Sequence, residues 1–142
     1  DVPVGIGFAD LDSLPGEINK YIELRTTRLI KAGNIRLHPL DTPGHTSGST
    51  CFYLHNPIDD EVSHLFSGDT LFPGGPGKSV SHQAFKQIIE SLEAQIYKLP
   101  DSSVVLPGHG DFTTIGTSKN EYDLFSTTTI NPDLYGDVTW TP

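Results

Sequence analysis

The sequence predicts a mixed α/β (α+β) domain in which sheet strands deliver three metal-capable side chains to one rim, accompanied by one clear amphipathic helix. Leu40 to Leu54 (LDTPGHTSGSTCFYL) sets His45 in a loop of small residues between two strand-like apolar runs. The same design recurs around Asp69 in Phe66 to Phe72 (FSGDTLF) and around His109 in Val104 to Gly110 (VVLPGHG). Each is an apolar run, then glycine, then a side chain able to bind a metal. Small residues let the backbone turn sharply and hold that side chain in the open. The helix is Ser81 to Leu99, where Phe85, Ile88, Ile89, Leu92 and Ile96 follow the i, i+3, i+4, i+7 rule.

Taken in order, Asp1 to Gly7 reads as a short strand, and Ala9 to Leu14 as one helical turn ended by Pro15-Gly16. Glu17 to Arg28 mixes apolar and charged residues without a period and reads as irregular. Leu29 to Leu40 holds a hairpin signal, Ala32-Gly33-Asn34 between apolar runs. Thr50 to Leu54 is a strand with aromatic and β-branched residues. His55 to Ser63 is a polar connection carrying Asp59, Asp60 and Glu61, and His64 to Phe66 is the strand that delivers Asp69. Leu71 to Val80 reads as a glycine-proline loop with one base, Lys78. Ser81 is the expected cap of the helix and Pro100 its stop. Ser103 to Leu106 is a buried-type strand delivering His109. Glu121 to Phe125 suggests a short helix, and Asn131 to Pro142 a tail without regular structure. No linker, repeat or low-complexity segment divides the chain, so residues 1–142 are expected to form a single domain.

The bulk properties restrict the partners. With 18 acidic against 9 basic residues the formal charge is -9, which argues against nucleic acid or an anionic membrane and favours cations near a site. One cysteine, Cys51, excludes an internal disulfide framework; its strand context marks it as a core residue. No apolar run approaches the roughly 18 residues of a transmembrane helix, and a signal peptide is not expected. The expectation is a soluble, cytoplasmic protein. The chain has no methionine, even at position 1, which suggests that residue 1 is not the biological start.

A divalent transition metal needs a few N, O or S donors converging in space, and two histidines with one carboxylate suit Zn, Fe or Mn. Asp69 has two oxygens and could bridge two ions. Such an ion lowers the pKa of bound water to about 7 and polarises a carbonyl, so hydroxide becomes available without a side-chain nucleophile. A lone histidine in a glycine-rich loop is usually a turn residue, and Ser-Gly-Asp-Thr is usually an Asx-turn or cap. Three independent units of this kind in one short acidic chain are harder to assign to chance.

Thr42-Pro43-Gly44-His45-Thr46-Ser47-Gly48-Ser49, Gly68-Asp69-Thr70-Leu71-Phe72 and Pro107-Gly108-His109-Gly110 together resemble three successive motifs of the metallo-β-lactamase fold hydrolases, nearest their glyoxalase II-like (hydroxyacylglutathione hydrolase) branch. The resemblance runs from about Ile35 to Gly116 and places the amphipathic helix between the second and third motifs. It implies an αββα sandwich with the site at one edge of two sheets. It further implies that His45 completes a first metal site, that His109 belongs to a second, and that Asp69 bridges them as the catalytically essential ligand. The family's first motif, His-x-His-x-Asp-His, is absent from this chain. The expectation is therefore a partial domain lacking its N-terminal strands, cut from a longer chain or completed by another. Two zinc ions (or iron or manganese) would be held only if the upstream ligands are present.

Lys78 resembles the basic residue that contacts a glutathione-type thioester in that branch, although Pro76 stands where the family usually has cysteine. The plain reading of Lys78 is a solvated loop lysine. The sequence after His109 resembles short, bacterial-type members. His38, His55, His64 and His82 match no motif and read as surface or structural residues. The resemblance implies a hydrolase of a small ester, thioester or lactone acting through metal-bound hydroxide, with a small-molecule acyl substrate. A missing N-terminal half or a homo-oligomer would be its partner. Two alternatives stand beside it: a mononuclear iron persulfide dioxygenase using His45 and Asp69, and a non-catalytic, metal-free domain or inactive fragment.

Overall fold

A computed structural model describes residues 3–16, 20–55, 62–128 and 131–140. The sequence expectations for residues 1–2, 17–19, 56–61 (with Asp59, Asp60 and Glu61), 129–130 and 141–142 lie outside the described residues.

The chain begins with β1 (Val4–Ile6), followed by a 3-10 helix over Phe8–Ser13. β2 (Tyr21–Glu23) then pairs in parallel with β1. This corrects the irregular reading of that stretch. β2 has no periodicity of its own because what holds it is non-local: Val4, Gly5 and Ile6 register with Tyr21, Ile22 and Glu23, and the Leu24 N–H donates to the Ile6 carbonyl at 3.0 Å.

β3 (Ile30–Ala32) and β4 (Ile35–Asp41) form the expected hairpin, with Gly33 at φ 60° in its turn. β5 (Thr50–Leu54) and β6 (His64–Gly68) continue the antiparallel run. The glycine-proline stretch after Asp69 is not merely a loop. It holds a small hairpin, β7 (Leu71–Phe72) with β8 (Gly75–Pro76).

Helix α1 spans His82–Ala94, and the Ser81 hydroxyl accepts from the Ala84 N–H at 3.2 Å as its cap. The helix ends sooner than Leu99: Gln95 caps it, and a 3-10 turn over Ile96–Lys98 carries Ile96 into the core. Next come β9 (Val104–Pro107), β10 (Thr113–Thr114) and α2 (Ile115–Ser126). α2 is longer than the short helix expected at Glu121, because Thr114 caps it by accepting from the Thr117 N–H at 3.1 Å. Gly116, Thr117, Ser118 and Asn120 are weak helix formers, so local propensity conceals the first two turns.

The six-stranded sheet runs β10-β9-β6-β5-β4-β3. Its one parallel pair is β6 with β9, joined through α1. Helix residues Phe85, Ile88, Leu92, Ile96 and Ile115 pack against Cys51, Leu65 and Val105 of the sheet. Burying one such side chain is worth about 1.5–3 kcal/mol. The opposite sheet face carries an apolar row across four strands, Pro39, Phe52, Phe66 and Leu106, of which Phe66 is 41% exposed. The described residues thus give a sheet with a helical layer on one face, together with the separate β1–β2 pair. Among them no helix is long and apolar enough to cross a membrane.

The tail has no helix or strand between residues 131 and 140, as expected, but it is not loose. Trp140 (3% exposed) and Val138 enter the core, with Tyr122 and Phe125 rings at 5.2 and 4.9 Å from Trp140. Trp140→Ala in the full-length protein should therefore cost about 3–5 kcal/mol, read by urea unfolding followed by circular dichroism. A loss below about 1 kcal/mol, the range of surface changes, would show that the tail only rests on the surface.

Candidate metal centre

His45 is held from several sides. Its loop closes between β4 and β5 through the Thr42 N–H to Ser49 carbonyl bond (3.0 Å) and the Gly44 N–H to Thr46 carbonyl bond (2.9 Å). Helix α1 supports it from below: the Ser91 hydroxyl donates to the Pro43 carbonyl at 2.8 Å. Gly44 sits at φ +145°, and a Cβ there would fall 2.2 Å from Ile88 Cγ1 and 2.6 Å from the Ile88 nitrogen. Only glycine lets the loop lie this close to the helix.

Asp10, in the 3-10 helix, clamps the loop's far side. One carboxylate oxygen accepts from the Thr46 hydroxyl, the other from the Gly48 N–H at 2.8 Å. Sequence reasoning missed this residue. An acid in a short 3-10 helix has no local sign that it reaches 36 residues ahead.

The His45 ring is oriented by its Nδ1, 2.8 Å from the Lys78 carbonyl oxygen. A carbonyl can only accept, so Nδ1 carries a proton, and in the neutral ring Nε2 is the nitrogen with the free lone pair. This is the arrangement in which metal-binding histidines are usually held. Asp69 follows β6, where the Gly108 N–H donates to the Gly68 carbonyl at 2.9 Å and ties the β6 and β9 ends together. A Cβ on Gly108 would meet Asp69 Oδ1 at 2.6 Å, so residue 108 must be small for His109 to sit beside Asp69. The His109 ring leans on Phe72, centroids 4.7 Å apart.

The three predicted side chains come together. His45 Nε2 lies 3.7 Å from Asp69 Oδ2, and His109 Nε2 lies 4.0 Å from Asp69 Oδ1. Each imidazole faces a different carboxylate oxygen. Two donors sharing a tetrahedral ion at about 2.1 Å would stand roughly 3.4 Å apart, a few tenths of an ångström closer than these. Among the described residues no three His, Cys, Asp or Glu side chains gather around one point. The donors therefore form two pairs sharing one carboxylate, and not a closed single site. The donor types and the Nε2 lone pair of His45 fit divalent ions.

Asp69 and His109 side chains are 40% and 74% exposed, against 31% for His45, so the centre opens to solvent on the His109 side. A cavity of about 300 Å³ lies over it, with Phe72, Lys78 and Asp137 also in its wall. Lys78 thus gives its carbonyl to His45 and also lines the cavity, with its ammonium 3.9 Å from Asp137 Oδ2. None of His38, His55, His64 and His82 lines this cavity. His82 instead contacts the Leu134 carbonyl at 3.0 Å, and His55 stacks on Tyr53. Cys51 is fully buried, and burial pushes its thiol up to about 11, so it stays a protonated core residue.

A mixed sheet with helices on one face, and histidine and carboxylate donors on loops along one edge, defines the class. The Metallo-beta-lactamase superfamily description matches residues 8–109, and the chain belongs to that family. An uncharacterised protein of Mycobacterium tuberculosis is 36% identical over 105 residues, which cover 72% of this chain and 47% of that protein. The probable hydroxyacylglutathione hydrolase glo2 of Schizosaccharomyces pombe is 36% identical over 99 residues, 70% of this chain and 36% of that one. A crystal structure of a metallo-beta-lactamase from Staphylococcus aureus superposes with a TM-score of 0.67 at 32% identity, covering 83% of this chain and 39% of that one. The chain spans about half the length, or less, of these relatives.

If Asp10 braces the His45 loop, Asp10→Ala in the full-length protein should cost about 1–3 kcal/mol of stability and speed amide exchange at Gly48. Unchanged protection at Gly48 would remove Asp10 from this role.

Proposed function

We propose that this chain supplies the ligands His45, Asp69 and His109 to a metal-dependent hydrolase of small esters, thioesters or lactones. The observation that carries the reading is the Asp69 carboxylate, with a different imidazole Nε2 facing each of its oxygens at 3.7 and 4.0 Å. Zinc suits this donor set, and iron or manganese would also. Bound there, a divalent ion supplies an acidified water and a Lewis acid for the substrate carbonyl.

The chain's own residues set the rest. Asp69 bridges the two histidine positions, and its negative charge lies between them. The Lys78 carbonyl fixes the His45 ring, and Phe72 limits the swing of His109. The cavity of about 300 Å³ accommodates a small acyl group with part of its leaving group. The Lys78 ammonium at its mouth is placed to meet the polar end of such a substrate. Support for thioesters comes from relatives named hydroxyacylglutathione hydrolase, in Schizosaccharomyces pombe among others. The small molecule enters as substrate, and two ions would be held only if further ligands come from outside this chain's described residues.

The test is Asp69→Ala in the full-length protein, with metal content by elemental analysis and thioester hydrolysis measured together. Loss of bound metal, with activity falling by about 10²- to 10³-fold or more, the scale of removing a strong transition-state contributor, is expected. Retained full activity would sink the assignment. One bound iron with oxygen uptake on glutathione persulfide would point to a dioxygenase instead. A metal-free protein whose folding ignores chelators would point to a non-catalytic domain.

A further inference from the structure

The C-terminal segment from Leu134 to Trp140 forms part of the cavity wall, and it is tied there. The Ser79 N–H donates to the Gly136 carbonyl, and the Gly136 N–H to the Ser79 carbonyl, both at 3.1 Å. The Trp140 N–H donates to the Gly74 carbonyl at 2.7 Å, and the Val138 and Trp140 side chains are buried. Between these anchors Asp137 is held at the mouth, its Oδ2 3.9 Å from Lys78 Nζ. Lys78 is the one lysine or arginine among the described residues that line the cavity. Its charge therefore does not act alone. A carboxylate docking on Lys78 would meet Asp137 at a few ångströms.

We propose that Asp137 is a specificity-determining residue: it holds Lys78 and disfavours substrates that bring a carboxylate to this rim. The site would then prefer esters or thioesters whose rim-facing end is uncharged. This rests on the hydrolase reading and adds the charge class of the substrate. An exposed pair of this kind is worth little to folding. A like charge a few ångströms from a bound anion, screened nearly as in bulk water because both side chains are largely exposed, is worth about three- to ten-fold in affinity.

The test uses the full-length, metal-loaded protein and two thioesters of the same lactoyl group, one on glutathione (anionic) and one on N-acetylcysteamine (neutral). The reading is the ratio of kcat/KM for the anionic over the neutral thioester. Asp137→Asn should raise this ratio about three- to ten-fold, and the rise should shrink when Lys78→Ala is added, since the two charges are coupled. A general structural defect would lower both rates and leave the ratio alone. An unchanged or lower ratio overturns the inference. Calorimetric binding of S-methylglutathione and of its diethyl ester reads the same discrimination without turnover. If neither thioester is hydrolysed, the hydrolase reading falls, and calorimetry still decides: selective tightening of the acid in Asp137→Asn supports the role of Asp137, and equal affinities overturn it.

Discussion

The parallel pairing of β6 with β9 is the constraint from which the centre's geometry follows. His64, Leu65, Phe66 and Gly68 register with Val104, Val105, Leu106 and Pro107, with a shift between Phe66 and Gly68. Two parallel strands end on the same side of a sheet, so Asp69 and His109 emerge together. An antiparallel pairing over this length would place them about 16 Å apart, at roughly 3.3 Å per residue. β5 runs against β6 and begins where β6 ends, which brings the His45 loop to that same edge. A parallel pair demands a long crossover. Helix α1 supplies it and, once there, fills the core beneath the edge it helped to create.

The two histidines are not held alike. His45 has a fixed ring nitrogen, a helix beneath its loop and a carboxylate clamp beside it. His109 has a ring contact with Phe72 and a largely exposed side chain. A centre built this way has one firm half and one compliant half. The firm half defines where a ligand begins. The compliant half can follow a change in its surroundings at small cost.

Much of the fold was legible because its signals are local. The β3–β4 turn, the strand character of Thr50–Leu54 and the Ser81 cap need only neighbouring residues. The glycine-ligand loops were legible for a related reason: close backbone approach at Gly44 and Gly108, and a positive φ at Gly68, leave a glycine in the sequence as their mark. What was not legible depends on distant partners. β2 exists through β1, Asp10 acts across 36 residues on Thr46, and Trp140 finds its place only once α1 and α2 are packed. A lone tryptophan in a tail otherwise free of periodicity was the one available hint of burial there. The helix ends failed for an ordinary reason, since capping and 3-10 turns decide them more than propensity does.

The contact between Gly44 and α1 has a consequence for how this sequence can vary. Steric conflicts between two positions are normally relieved in pairs, one side chain growing as the other shrinks. That exchange is closed here. The second atom in the way of a Cβ at position 44 is the Ile88 backbone nitrogen, which every residue carries. No substitution at 88 compensates for one at 44. Combinatorial libraries aimed at the His45 loop lose every member altered at this position, whatever is allowed elsewhere. Diversity has to enter instead at exposed positions of the cavity wall such as Lys78 and Asp137, whose side chains the core does not hold.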